Sequence, residues 1–137
     1  MISNHGTMNI LHHTSSCIFI PALIATYLGR WPDVFVNVLQ GTASVWYHNT
    51  HSSIALVFDR TSLALLAART IYLASTSLTL ILLYILGFGY IGVIYLCGRR
   101  YNCFAFHPNQ FTSDMYHASM HILGIAIYSG SMIWLLD

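Results

Sequence analysis

Between Ile54 and Cys97 lie 44 residues whose only charges are Asp59, Arg60 and Arg69. A helix needs about 20 apolar residues to cross a bilayer, so this run is twice the length of one span and has to fold back on itself. The rest of the chain agrees with a membrane setting: 7% of its residues are charged, 56% are hydrophobic and the mean hydropathy is +0.64. A soluble domain carries about a quarter of its residues as charged side chains. Lys and Glu are absent, five Arg face four Asp, and a net charge of +1 gives no electrostatic basis for binding nucleic acid.

Apolar length predicts an all-α, polytopic transmembrane helical bundle of about five spans, forming a single integral-membrane domain over residues 1–137. The first span covers 14–28 and ends in a turn marked by Gly29 and Pro32, with Trp31 suited to the interface. The second, 34–47, is short for a bilayer. The weakly polar segment 74–77 divides the long run into a third span, 58–72, and a fourth, 78–96. A polar loop over 98–112 leads to the fifth span, 113–136. The N-terminus has neither the basic start nor the cleavage site of a secretory signal, so the first apolar run is expected to be retained. Cys17, Cys97 and Cys103 form no C-x-x-C pair and read as packing residues.

Polar residues inside apolar spans are costly and mark function. Here they are Ser44 and His48, Asp59, and His117 and His121. In a five-span alternation the end of the second span, the start of the third and the start of the fifth share one side of the membrane. All five residues therefore converge on one leaflet. Residues four apart lie on one helix face, which pairs His117 with His121 and Ser44 with His48. Three imidazoles plus a water make the open tetrahedral arrangement of a catalytic zinc site, whereas calcium and magnesium prefer oxygen cages. Arg99 and Arg100 lie on the site side, and the positive-inside rule then expects a cytoplasmic site.

Other readings of the same residues stay open. A membrane-embedded His can be a packing hydrogen bond, and a His pair also suits haem ligation. Asp59 beside Arg60 can be an interfacial ion pair, and Ser44 with Gly41 can be a close-approach surface between helices. The G-x-G-x-x-G pattern at Gly87, Gly89 and Gly92 lies inside an apolar span with no strand before it, so these glycines read as helix-packing positions. His12 and His13 point to different faces on the site side. His51 is a loop alternative to His48, and His5 and His107 read as solvated residues.

The stretch Gly41-Thr42-Ala43-Ser44-Val45-Trp46-Tyr47-His48, with Asp59 following His48 by 11 residues, resembles the signature of the alkaline ceramidase family. The segment running from His117 through Ala118, Ser119 and Met120 to His121 is similar to the family's H-x-x-x-H pair. The wider superfamily includes the progestin and adiponectin receptors and hemolysin III. Roughly half of the chain is covered. The family has seven spans, so this chain looks like a reduced version, and it has no acidic residue before Asp33.

The resemblance implies an intramembrane zinc-dependent lipid hydrolase that cleaves the amide of ceramide-like membrane lipids. His48, His117 and His121 would hold the metal, Asp59 would act as general base and then acid, and Ser44 would stabilise the oxyanion or orient the water. The expected location is multi-pass in a membrane, and in endomembranes (ER or Golgi) if the cell is eukaryotic. The alternatives are a non-catalytic receptor or assembly subunit with a structural metal, and a haem- or quinone-binding redox subunit.

Overall fold

The computed structural model describes residues 5–136, and the side chains of residues 5–9 and of His12 lie outside the described set. The expectations for the His5 and His12 side chains fall there. The chain is all-helical, 87% helix with no strand among the described residues. Its helices are α1 (His5–Ser16), α2 (Phe19–Tyr27), α3 (Trp31–Thr50), α4 (Ser53–Ala74), α5 (Leu78–Tyr101) and α6 (Gln110–Trp134), with a 3₁₀ turn at Phe104–Phe106.

The expected first span is broken in two. Pro21 has no N–H to give to the Cys17 carbonyl, and its ring crowds that carbonyl four residues back. Ile20 N donates to Cys17 O instead, at 3.0 Å, and the chain turns at Cys17 and Ile18. The other boundaries follow local chemistry. Pro32 sits at the start of α3, where a missing donor is harmless. His51 ends that helix in a left-handed conformation, φ 49°. Ser52 caps α4 by accepting from Ala55 N at 3.1 Å, and Asn109 caps α6 by accepting from Thr112 N at 3.1 Å. The turn expected at 74–77 is present, since α4 ends at Ala74 and α5 begins at Leu78.

Around the bundle the order closes on itself. The broken α1/α2 rod packs between α3 and α6, α3 packs on α4, α4 on α5, and α5 on α6. The close approaches are set by two glycines: a Cβ added at Gly87 would collide with Ile127 of α6, and one at Gly41 would stand 3.0 Å from the Phe19 ring. Gly89 and Gly92 have open space, so of the three pattern glycines only Gly87 is a packing position.

Polarity is inverted relative to a water-soluble bundle. Asp33, Asn37, Gln40 and Ser44 of α3 and Ser62 and Thr70 of α4 are buried, while Phe35, Val38 and Trp46, and Val57, Phe58, Leu65 and Ile71, face outward. By length and composition one helix among the described residues, α5 with the turn that follows it (Leu78–Phe106), is long and apolar enough to cross a membrane.

Apolar packing is concentrated at one end of the ring. Ala25, Leu73, Tyr128 and Met132 form one cluster there, and Ala74, Leu80, Tyr84 and Ile127 a second. Beside these clusters the ring is hollow, and the hollow reaches from the histidines to Tyr84, Ile127 and Tyr128. A cavity of about 680 Å³ is lined by residues of α2 through α6, with Ile18 of the α1–α2 turn.

Candidate metal centre

His48 lies in the last turn of α3, and His117 and His121 stand one turn apart on α6. A ligand atom from each of the three lies within 4.8 Å of the other two. Ring centroids are 5.2 Å apart for His48 and His117, 5.7 Å for His48 and His121, and 5.0 Å for His117 and His121. All three rings are half-buried and line the cavity. Three nitrogen donors at this separation suit one small divalent ion with a position left open towards the cavity.

A second residue fixes one ring. Thr14 Oγ1 lies 3.3 Å from His121 Nδ1, and also 3.0 Å from Ile10 O and 3.2 Å from Leu11 O. The hydroxyl has one proton. With that proton directed to the backbone carbonyls of its own helix, the threonine oxygen accepts from Nδ1–H. His121 then keeps its Nε2 lone pair for a metal, the arrangement by which outer residues set the tautomer of a ligating imidazole.

Asp59 stands on α4 and lines the same cavity. Gln40 Nε2 donates to its Oδ1 at 3.1 Å, and Ser62 Oγ donates to Gln40 Oε1 at 2.8 Å, which fixes the orientation of the amide. Asp59 forms no ion pair with Arg60: among the described residues the ion pairs are Arg30–Asp33 and Arg69–Asp33. Arg60 turns instead to α5, donating to Tyr95 OH at 2.5 Å with its guanidinium 5.1 Å from that ring's centre.

Ser44 is placed differently from the four residues above. It is buried, it donates to Ser15 Oγ of α1 at 3.2 Å, and it is not among the residues lining the cavity. It joins α1 to α3 one turn below His48. His51 is exposed at the end of α3, packing its ring edge to face on Tyr47, and His107 accepts from Asn109 N at 3.0 Å in the loop. His13 is exposed, and the three cysteines are free and half-buried.

Sequence reasoning missed a second polar centre at the packed end. Asp33 is fully buried and accepts from Arg69 Nε at 2.7 Å, Arg30 Nε at 2.9 Å and Tyr128 OH at 2.7 Å. It ties α3, α4 and α6 together opposite the histidines. The signal was Arg69 itself, a cation in the middle of an apolar run, which needs a buried partner. Gln40 and Thr14 were also missed. Gln40 was detectable, being one turn before Ser44 on the same face of α3.

Comparison with protein families, curated proteins and solved structures finds no match for this chain.

Proposed function

We propose that this chain is a multi-pass membrane protein of five spans and a zinc-dependent hydrolase of membrane lipids, cleaving a ceramide-like acyl amide or ester. The observation that carries this reading is the convergence of His48, His117 and His121 within 4.8 Å on the wall of a cavity that Asp59 also lines.

The membrane assignment rests on the inverted polarity of the ring. Helices α3 to α6 have 20, 22, 24 and 25 residues, or roughly 30–37 Å at 1.5 Å per residue, enough to cross a hydrocarbon core. Their outward residues are large and apolar, and their polar residues pair inside, as hydrocarbon solvent demands. Only α5 passes on composition alone because α3, α4 and α6 carry the internal polar residues.

Zinc, when held by the three imidazoles, would supply Lewis-acid polarisation and a lowered pKa for water at the open position. The chain's own groups supply the rest. Asp59, with Oδ1 held by Gln40, takes the proton of the attacking water and returns it to the leaving nitrogen or oxygen. Thr14 holds His121 in the ligating tautomer. Ser44 acts through Ser15, seating α1 so that Thr14 reaches His121, and is thus a positioning residue. The cavity walls from Leu63, Leu66, Phe88 and Ile91 accept an acyl chain.

A small ion is favoured over haem because three rings separated by 5.0–5.7 Å leave no plane between any two for a macrocycle. The deciding experiment is metal analysis of the purified protein, followed by lipid hydrolysis in bilayers. One zinc per chain together with release of fatty acid from an amide or ester lipid supports the reading. Zinc-loaded protein that releases none overturns the catalytic part, and protein that takes up no zinc overturns the whole.

A further inference from the structure

We infer that Arg60 is a specificity residue that makes the cavity select amphiphiles carrying an anionic group, a phosphate or carboxylate, beside the bond at the histidine centre. This rests on the proposed lipid-hydrolase reading and narrows its substrate class.

The argument begins with what Arg60 does not do. It follows Asp59 directly in sequence, yet Asp59 is held by Gln40, and Arg60 forms no ion pair among the described residues. At the other end Arg69 and Arg30 pair with the buried Asp33. Arg60 is exposed, and among the described residues its hydrogen bond goes to the neutral hydroxyl of Tyr95, whose ring face its guanidinium also covers. A guanidinium has five N–H donors, and the bond to Tyr95 uses one of them.

Tyr95 orients this charge. The ring lies beneath the guanidinium at 5.1 Å, its hydroxyl accepts from Nη2, and Phe106 packs edge to face with the ring at 5.2 Å. Arg60, Tyr95 and Phe106 all line the cavity. His117 and His121 line the same cavity. A planar donor fork fixed at the wall of an apolar cavity matches phosphate or carboxylate geometry. The aliphatic and aromatic lining beside it requires that the anion arrive on a hydrocarbon chain.

The test uses the full chain in nanodiscs and measures binding, so it does not depend on turnover. Dodecyl phosphate, dodecanol and inorganic phosphate are titrated against wild type, Arg60→Gln and Arg60→Lys, each zinc-loaded and each stripped of metal by chelator. Wild type is expected to bind dodecyl phosphate at least about tenfold more tightly than either other probe, the scale of one charge-assisted contact. Arg60→Gln is expected to lose that preference while keeping wild-type affinity for dodecanol, which also shows that the cavity is intact. Arg60→Lys is expected to keep part of it, because the charge remains and the fork does not.

Equal binding of dodecyl phosphate by wild type and Arg60→Gln overturns the inference. Inorganic phosphate binding as tightly as dodecyl phosphate overturns it as well, by assigning the contact to free phosphate. The metal-free arm separates the two readings: an Arg60-dependent preference that persists there, in a protein that hydrolyses no lipid, removes the enzyme and leaves the anion site.

Discussion

Asp33 on α3 and Arg69 on α4 meet edge to edge, Nε donating to Oδ1 at 2.7 Å and Nη2 to Oδ2 at 3.0 Å, and the carboxylate has no solvent exposure. Two lone pairs on each oxygen are thus met by two arginines and the Tyr128 hydroxyl. Asp33→Asn leaves the half-buried Arg69 without its counter-charge and is expected to destabilise the fold by about 3 kcal/mol. Tyr128→Phe removes one charge-assisted hydrogen bond and is expected to cost about 1.5–3 kcal/mol. Unfolding of the detergent-solubilised protein measures both, and an Asp33→Asn loss no larger than that of Tyr128→Phe would show that the cluster is not holding the helices together.

At the opposite end, His48→Ala, His117→Ala and His121→Ala are each expected to reduce zinc from one per chain to none. Thr14→Val keeps all three ligands and releases the tautomer of His121, for which a loss of roughly 10–100-fold in zinc affinity is expected. Competition with a chromogenic chelator reads both effects. Thr14→Ser, which restores the hydroxyl, should recover affinity, and its failure to do so would assign the Thr14→Val effect to packing.

Asp59→Asn retains the side-chain shape and cannot accept a proton. It is expected to keep zinc and to lower lipid hydrolysis by about 10²–10⁴-fold. Gln40→Leu withdraws the donor that steadies Asp59 and should lower kcat with little change in KM. Full turnover by Asp59→Asn would sink the general-base assignment.

Labelling of single cysteines introduced at Asn49, Asn109 and Trp31 checks the arrangement in the membrane. The first two stand at the histidine end of the ring and the third at the Asp33 end. Asn49 and Asn109 probes should react from one face of the bilayer and Trp31 probes from the other. Reaction of Asn49 and Asn109 from opposite faces would dismantle the five-span proposal.

Much of the site was legible because α3 carries it as a stripe. Positions 33, 37, 40, 44 and 48 recur every three or four residues, so Asp33, Asn37, Gln40, Ser44 and His48 share one face and all turn inward. The alternation of helices then brings His117 and His121 to the same end. What was not legible depends on pairs distant in sequence: Asp33 finds Arg69 across 36 positions, and Thr14 finds His121 across 107. Ser and Thr in an apolar helix usually bond their own backbone, so nothing in Thr14 or Ser15 announced a partner on another helix. The break after Ser16 was readable in Pro21, whose effect falls four residues upstream of the ring itself.

That break has a consequence for how the centre can change. Thr14 and Ser15 are neighbours on α1, and through them the same short helix meets both His121 and Ser44. The three histidines and Asp59 all lie beyond it on α3, α4 and α6. A displacement of α1 would therefore act on the proposed metal centre through Thr14 and Ser15, while His48, His117, His121 and Asp59 stay on helices of their own.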